Sequence, residues 1–397
     1  MPMWLNNLGN SFTHRFTHTG NLTDISNAIS YQQRAVHLTP EDHVDMPAYL
    51  ANLGSAFYSR FECTGDLADF SDAISYQQRA VHLTPEGHAD MPSSLSNLGN
   101  LFQCRFERTG DLSDISDAIS YLQKAALLTP EGHANMPSRL NNLGIAFKCR
   151  FQYTGDLTNL SDAISHQQRA VHLTPEGHAN MFSWLSSLGN AFSSRFRRTG
   201  DLADISDAIS HQQKAVHLIP ESHAGIPSRL NTLGISLQCR FERTGDLADI
   251  SDAISHQQRA VSLTPEGHAD IPRQLSNLGI SLVRRFECTR DLADISHAIS
   301  HQQRAVHLSP EGDAYIPGLL TNLGNALACR FERTGDLVDI SHSISHLQRA
   351  VHLTPVGHAD MPIRLNNLGI SFQLRFERTG DLADIHKLLS VDRRCAT

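Results

Sequence analysis

The sequence repeats itself every 45 residues, and this period limits the fold more than any other feature of the chain. One glycine recurs at that interval without a shift, at Gly9, Gly54, Gly99, Gly144, Gly189, Gly234, Gly279, Gly324 and Gly369. A fixed period of roughly 20–50 residues is typical of repeat arrays, in which each unit packs only on its neighbours. The period therefore predicts a single stack over residues 1–397, with units that begin near residues 1, 46, 91, 136, 181, 226, 271, 316 and 361 and a last unit that is incomplete.

Within each unit, the spacing of apolar residues predicts a first helix. In the unit that begins near residue 91, the apolar residues follow one another at steps of three, four and four: Leu95, Leu98, Phe102 and Phe106. These steps place them on one face of a helix, and Asp90 is its predicted N-cap. Gly99 inside the helix costs about 1 kcal/mol relative to alanine. Its recurrence is explained if the partner helix approaches closely at this point.

The same unit predicts a second helix after a short link. Gly110 is the predicted end of the first helix, because glycine readily adopts the left-handed conformation that closes a helix. Asp111 then caps the second helix, which carries a stripe through Ile115 and Ile119. This helix ends before Pro130, because the residue before a proline is pushed out of the helical region. Such hairpins must stack on their neighbours to bury both stripes.

These residues resemble the tetratricopeptide repeat. The matching pattern is Leu95-x2-Leu98-Gly99-x2-Phe102, followed by Ala118, Ala125 and Pro130. The unit of 45 residues is longer than the usual unit of about 34. The segment from Arg243 to Ile250, RTGDLADI, makes the long unit similar to repeats of fungal aromatic di-alanine and TPR proteins and of regions that precede caspase-like CHAT domains. The resemblance implies an all-α, right-handed α–α superhelical solenoid of about nine helix–turn–helix units.

A column of asparagines on the first helices is the candidate binding face. In tetratricopeptide arrays the corresponding face lines a concave groove, so the resemblance implies that these residues contact a ligand. The candidate peptide-binding residues are Asn52, Asn97, Asn100, Asn142, Asn190, Asn277, Asn322, Asn325 and Asn367. An asparagine offers two donors and an acceptor, so a ladder of them could pair with the backbone of an extended peptide. The alternative is that they are solvated or helix-stabilising residues copied by duplication.

An arginine six residues after the glycine is present in every unit. As a functional group it would bind anions or carboxylates, and the candidates for this role are Arg105, Arg150, Arg240 and Arg330. As a structural group its stem would cover the edge of the core, and its head would pair with the aspartates that open the second helix. We favour the structural role, because each unit supplies its own acidic partners.

Composition excludes several classes of function. A net charge of −8 and a pI of about 6.3 argue against binding to nucleic acid or to an anionic membrane. The 23 histidines recur at equivalent positions too far apart for one metal ion. Seven cysteines without a Cys-x-x-Cys motif are predicted to be reduced, and no secretory signal is visible, which favours a cytoplasmic location. We expect no cofactor and no enzyme activity, since no catalytic motif is present.

The sequence therefore predicts a scaffold that binds a protein or peptide in its groove. The alternative is the sensor region of a larger CHAT-type or NTPase effector, of which this chain would be a fragment. That alternative is motivated by ends that carry no obvious capping unit. The sequence does not determine the partner or the oligomeric state.

Overall fold

The computed structural model describes residues 1–220 and 222–387, and within them it contains helices and no strand. The helices are α1 (Pro2–Thr19), α2 (Leu22–His37), α3 (Met46–Thr64), α4 (Leu67–Leu83), α5 (Met91–Thr109), α6 (Leu112–Leu127), α7 (Met136–Thr154), α8 (Leu157–Leu173), α9 (Met181–Thr199), α10 (Leu202–Leu218), α11 (Ile226–Thr244), α12 (Leu247–Leu263), α13 (Ile271–Thr289), α14 (Leu292–Leu308), α15 (Ile316–Thr334), α16 (Leu337–Leu353) and α17 (Met361–Thr379). Residues 382–387 are also helical. The predicted all-α fold of paired helices is confirmed.

The chain forms two compact units, each of which contains several 45-residue repeats. The first unit is Met1–Thr199, and the second unit is Gly200–Thr397. The first contains α1–α9, and the second contains α10–α17. Within each unit, a helix packs on the one before it and on the one after it, and first helices of neighbouring hairpins, such as α5 and α7, also touch. The prediction of a single stack over residues 1–397 remains a prediction.

The predicted apolar stripes meet in cores that run from one hairpin to the next. In the first unit, Leu98 and Phe106 of α5 pack with Ile115 of α6 and with Leu143 and Phe147 of α7. Leu98 is 1% exposed, and Phe106 and Ile115 are completely buried. The stripe of one hairpin is thus covered by the next hairpin, as the repeat pattern requires.

The recurring glycine lies where the two helices of a hairpin cross. A Cβ atom added at Gly99 would lie 2.8 Å from Cγ of Leu122 and 3.1 Å from the carbonyl oxygen of Ala118. At Gly144 the corresponding distances are 2.6 Å to Gln167 and 2.9 Å to the carbonyl oxygen of Ala163. A backbone carbonyl inside a helix cannot move aside cheaply. The close approach inferred from the sequence is therefore confirmed.

Both predicted N-cap positions are confirmed, but only one of the two side chains makes a capping hydrogen bond. Asp111 accepts a hydrogen bond from the backbone N–H of Ser113 at 2.9 Å, as an N-cap should. Asp90 has helical backbone angles and makes no side-chain cap bond. Its backbone N–H instead donates to Nδ1 of His88 at 3.2 Å. The preceding turn is therefore closed by a histidine. The Asp90 side chain makes no cap bond because the second helical residue, Pro92, has no N–H, and the N–H of Ser93 donates to the carbonyl oxygen of Asp90 at 3.0 Å.

A histidine at the equivalent position closes the turn in most of the 45-residue repeats. Nδ1 accepts the backbone N–H two residues later at His43, His88, His133, His178, His223, His268 and His358. In the unit that contains α15, Oδ1 of Asp313 accepts in the same way from Tyr315 at 2.9 Å. The loop histidines that stood out in the composition are thus turn residues.

The end of α13 differs from the other first-helix ends, and this difference can be tested. Its last turn is closed by Arg290 with φ of 61°, where α11 and α15 end on Gly245 and Gly335. A residue with a Cβ atom is strained by about 1 kcal/mol in this conformation. We expect Arg290→Gly to stabilise the second unit by about 0.5–1 kcal/mol, measured by urea unfolding.

Gly245→Ala provides the matched control. Gly245 has φ of 73°, and no atom lies within 4 Å of an added Cβ, so any change reports backbone strain alone. We expect a loss of about 1 kcal/mol. If both variants had the same urea midpoint of unfolding as the wild type, the left-handed position would carry no strain.

Candidate functional site

In the first unit, the candidate asparagines lie on one side of the first helices. Asn97 and Asn100 of α5 are exposed, whereas Asn52 of α3, Asn142 of α7 and Asn190 of α9 are half-buried. The glycines of α1, α3, α5 and α7 face the second helices of their hairpins. The asparagine face is therefore a surface of polar amides that is only partly covered.

In the second unit, three candidate asparagines line one cavity. Asn322 and Asn325 of α15 and Asn367 of α17 surround a space of about 280 Å³, and all three are half-buried. Gln302 of α14 reaches the same space; it is 2% exposed, and its Oε1 has no hydrogen-bond partner. We call this space the amide cavity. Asn277 of α13 lies outside its lining.

The walls of the amide cavity are mainly apolar, and its charged side chains are partly paired. Ile280 and Ile370 supply apolar surface. Arg284 pairs with Glu242 at 3.3 Å and with Glu287 at 3.0 Å. Burial raises the pKa of Cys329 to about 11, so this thiol stays protonated at neutral pH. The cavity thus combines amides and apolar surface in the way small binding sites do.

Some of the asparagines connect neighbouring hairpins. Nδ2 of Asn52 donates to Oδ1 of Asn6 at 3.2 Å, and Nδ2 of Asn277 donates to Asn231 in the same way at 3.2 Å. Nδ2 of Asn322 donates to Oγ of Ser276 at 3.0 Å. Each bond joins residues 46 apart in sequence. These three amides have a structural role that the sequence analysis missed.

Most of the remaining amides have no such partner. Five of the candidate side chains make no hydrogen bond with the described residues: Asn97, Asn100, Asn142, Asn325 and Asn367. Their donors and acceptors are available to a ligand. The asparagine column thus divides into residues that link hairpins and residues that do not, and only the second group gives a clean test of binding.

The recurring arginines are engaged in ion pairs. Arg105 donates from Nε and Nη2 to the two carboxylate oxygens of Asp114, at 2.8 and 2.5 Å. Arg240 pairs with Asp249 and Arg330 with Asp339 in the same two-pronged geometry. The aspartates are almost completely buried. This geometry supports the structural role that the sequence favoured over anion binding.

The same arginines cover aromatic rings. The guanidinium carbon of Arg105 lies 4.6 Å from the ring centre of Phe102, and that of Arg150 lies 5.2 Å from Phe147. Contacts of this kind add about 0.5–2 kcal/mol at partly covered sites. Arg150 differs in its polar partner, since Nε donates at 2.6 Å to Oδ1 of Asn159 where other units have an aspartate.

The described residues hold no set of three or more histidine, cysteine or acidic side chains that could bind a metal ion. His166 and its counterparts on the second helices are half-buried, and burial lowers their pKa values. The His166 ring stacks on Phe147 at 5.6 Å. Helices long and apolar enough to cross a bilayer are absent from the described ranges.

Comparisons with known proteins identify the fold. No family model and no curated protein matches the sequence. The apo form of the quorum sensor NprR from B. thuringiensis is similar in structure, with a TM-score of 0.57, 11% identity and 97% of each chain covered. The C-terminal part of a TPR repeat-containing protein from Cytophaga hutchinsonii has a TM-score of 0.51 and 13% identity, over 81% of this chain and 99% of that one.

A third similar structure is IFIT1 with m7Gppp-AAAA, with a TM-score of 0.53 and 13% identity over 97% of this chain and 76% of that one. At such low identities the likeness concerns the fold. The chain has the tetratricopeptide-repeat fold, which confirms the resemblance drawn from the spacing of Leu95, Leu98, Gly99 and Phe102.

The Arg150–Asn159 contact yields a stability test. We expect Asn159→Asp to stabilise the first unit by about 1 kcal/mol, because the contact gains a charge and a second hydrogen bond in a buried position. Urea unfolding at neutral pH measures the change. Asp114→Asn is the matched reverse variant and should destabilise by a similar amount. If the two changes share a sign, the ion pair is not what stabilises the hairpin.

The pair of Arg15 and Asp24 yields a pH test. Hydrogen bonds from Arg15 lower the pKa of the Asp24 carboxyl below its ordinary value. A carboxyl whose pKa is lowered by folding stabilises the folded state at pH values above its pKa in the unfolded chain, which is about 3.9. This contribution is lost as the pH falls through the pKa of the folded state. We therefore expect Asp24→Asn to destabilise the protein at pH 7 and to destabilise it by a smaller amount at pH 3. A difference that is equal at both values would contradict the assignment.

Proposed function

We propose that this chain is an interaction scaffold that binds an extended peptide through the asparagine face of its first helices. The observation that carries the proposal is the amide cavity of the second unit. There, the side chains of Asn325 and Asn367 have free hydrogen-bonding groups, and the buried Oε1 of Gln302 lacks a partner. A buried acceptor without a partner costs about 1–3 kcal/mol, which a donor on a ligand would recover.

The spacing of the repeats suits an extended chain. Packed helices lie roughly 9–10 Å apart, and an extended peptide advances about 3.3 Å per residue. Amides on successive first helices would thus meet backbone groups about three residues apart along the peptide. Because backbone groups are the same for every residue, this mode of binding tolerates different side chains. The apolar surface of Ile280 and Ile370 then selects among them.

The charges of the amide cavity favour a peptide over RNA. A nucleic-acid site needs Lys or Arg side chains for the phosphates. In the amide cavity the basic residue is Arg284, and it pairs with Glu242 and Glu287. IFIT1 is seen with a capped oligonucleotide, but the carboxylate of Glu332 in this cavity would repel a phosphate. The function we propose is binding without catalysis, and the cytoplasmic location remains a prediction.

The test uses peptides selected from a displayed library of random sequences. Binding of the selected peptides is measured by fluorescence anisotropy. We expect the double variant Asn325→Ala and Asn367→Ala to weaken binding at least tenfold, since each lost hydrogen bond contributes about 1 kcal/mol. Its unfolding should stay close to wild type, because neither side chain bonds to a described residue.

Asn277→Ala is the matched control. It removes the bond to Asn231 and should lower stability by about 1 kcal/mol while leaving peptide affinity nearly unchanged, since Asn277 does not line the amide cavity. A single-stranded RNA oligonucleotide serves as the competing ligand. Undiminished peptide affinity in the double variant, or tighter binding of RNA than of any selected peptide, would refute the proposal.

A further inference from the structure

A second cavity lies beside the loops of the first unit, and no candidate asparagine lines it. It has a volume of about 470 Å³ and is lined by the turn at residues 87–90, the start of α5, the end of α6 with its turn, and the start of α7. Its polar lining consists of His88, Asp90, Ser93, His133, Asn135 and Arg139. We call it the loop cavity.

Arg139 is a buried cation in this cavity without an acidic partner. The residue is 6% exposed. Its guanidinium donates to the hydroxyl of Thr129 and, at 3.1 Å, to the hydroxyl of Ser93. These two contacts are neutral, and among the described residues no carboxylate forms an ion pair with it. Burial lowers the pKa of Arg139, and no neighbouring carboxylate counters this effect.

The last described hairpin shows what Arg139 lacks. Arg364 occupies the equivalent position, is 7% exposed, and donates to the hydroxyl of Thr354 as Arg139 does to Thr129. In addition it pairs with Asp360, four residues earlier, at 2.9 Å. The residue four before Arg139 is Asn135. The chain thus contains the same buried arginine with and without its carboxylate, and a buried unpaired charge is strongly unfavourable.

The other charged and titratable groups of the loop cavity leave room for an anion. Asp90 is its one acidic lining residue, and this carboxylate lies 3.8 Å from Nδ1 of His88, with 71% of its side chain exposed. Nδ1 of His88 and of His133 each accept a backbone N–H. In a neutral ring the proton is therefore on Nε2, so each of these lining histidines carries a donor that it does not use in its turn.

We propose that the loop cavity binds a small oxyanion, a carboxylate or phosphate group on a small molecule, held by Arg139 with donors from His88 and His133. The planar guanidinium matches the two oxygens of such a group. The volume lies in the range of small-molecule sites, about 300–1,000 Å³. The oxyanion occupies the role that the Asp360 carboxylate has beside Arg364. No candidate asparagine lines the loop cavity, although its residues His88, Asp90 and Ser93 also line a neighbouring cavity that contains Asn52 and Asn97.

The test is calorimetric titration of the full chain with inorganic phosphate and, separately, with malonate, at constant ionic strength. We expect the wild type to bind at one site, and the tighter of the two ligands identifies the class of oxyanion. Asn135→Asp supplies the carboxylate that Arg364 already has. It should reduce anion affinity at least tenfold and raise the urea midpoint measured without added anion.

Two further variants separate the roles of the charges. Arg139→Met should abolish anion binding, and circular dichroism with urea unfolding checks that the variant is folded. Asp90→Asn should retain or strengthen binding, because it removes the one carboxylate of the lining. Failure of the wild type to bind either anion, or equal affinity in the wild type and Asn135→Asp, would overturn the proposal.

Discussion

The close crossing of the two helices in a hairpin determines which side chains of the second helix reach the binding face. At Gly279 an added Cβ would lie 2.7 Å from Cγ of Gln302, so only a glycine lets the second helix come this near. The crossing draws the glutamine under the first helix, where it is buried with its amide directed past the glycine. Because of this, Gln302 reaches the amide cavity from a helix that otherwise lies behind it. The contact that closes the hairpin also supplies a polar group to its binding face.

Much of the fold could be predicted from the sequence, because its determinants are local. The stripe through Leu98 and Phe106, the left-handed glycine at Gly110 and the cap at Asp111 each depend on residues within one turn or one hairpin. The missing cap bond at Asp90 has the same origin. Its side chain has the right chemistry for a cap, but Pro92 in the first turn has no N–H, and the N–H of Ser93 donates to the carbonyl oxygen of Asp90. A cap bond depends on the donors of the first helical turn as well as on the residue type at the cap.

The candidate site was less predictable, because its contacts cross between hairpins. The sequence places amides on one face, and the structure shows that Asn52 bonds to Asn6 whereas Asn97 has no such partner. The pairing depends on the residue one unit earlier and on how far apart the helices lie. The arginine pairs were easier to predict, since Arg105 and Asp114 are nine residues apart within one hairpin. The partner of a side chain can be predicted from the sequence when both residues belong to the same hairpin.

The bond from Arg139 to Ser93 has a consequence for how the chain assembles. Near-identical hairpins can dock on the wrong neighbour, and misassembly of this kind is a characteristic failure of repeat proteins. A contact that every unit could make, such as a glycine crossing, does not distinguish one neighbour from another. Arg139 reaches back 46 residues to a side chain of the preceding hairpin. Because the equivalent of Ser93 is Ala48, Arg273 or Ile363 in other repeats, this bond favours some preceding hairpins over others, which the glycine crossing alone does not.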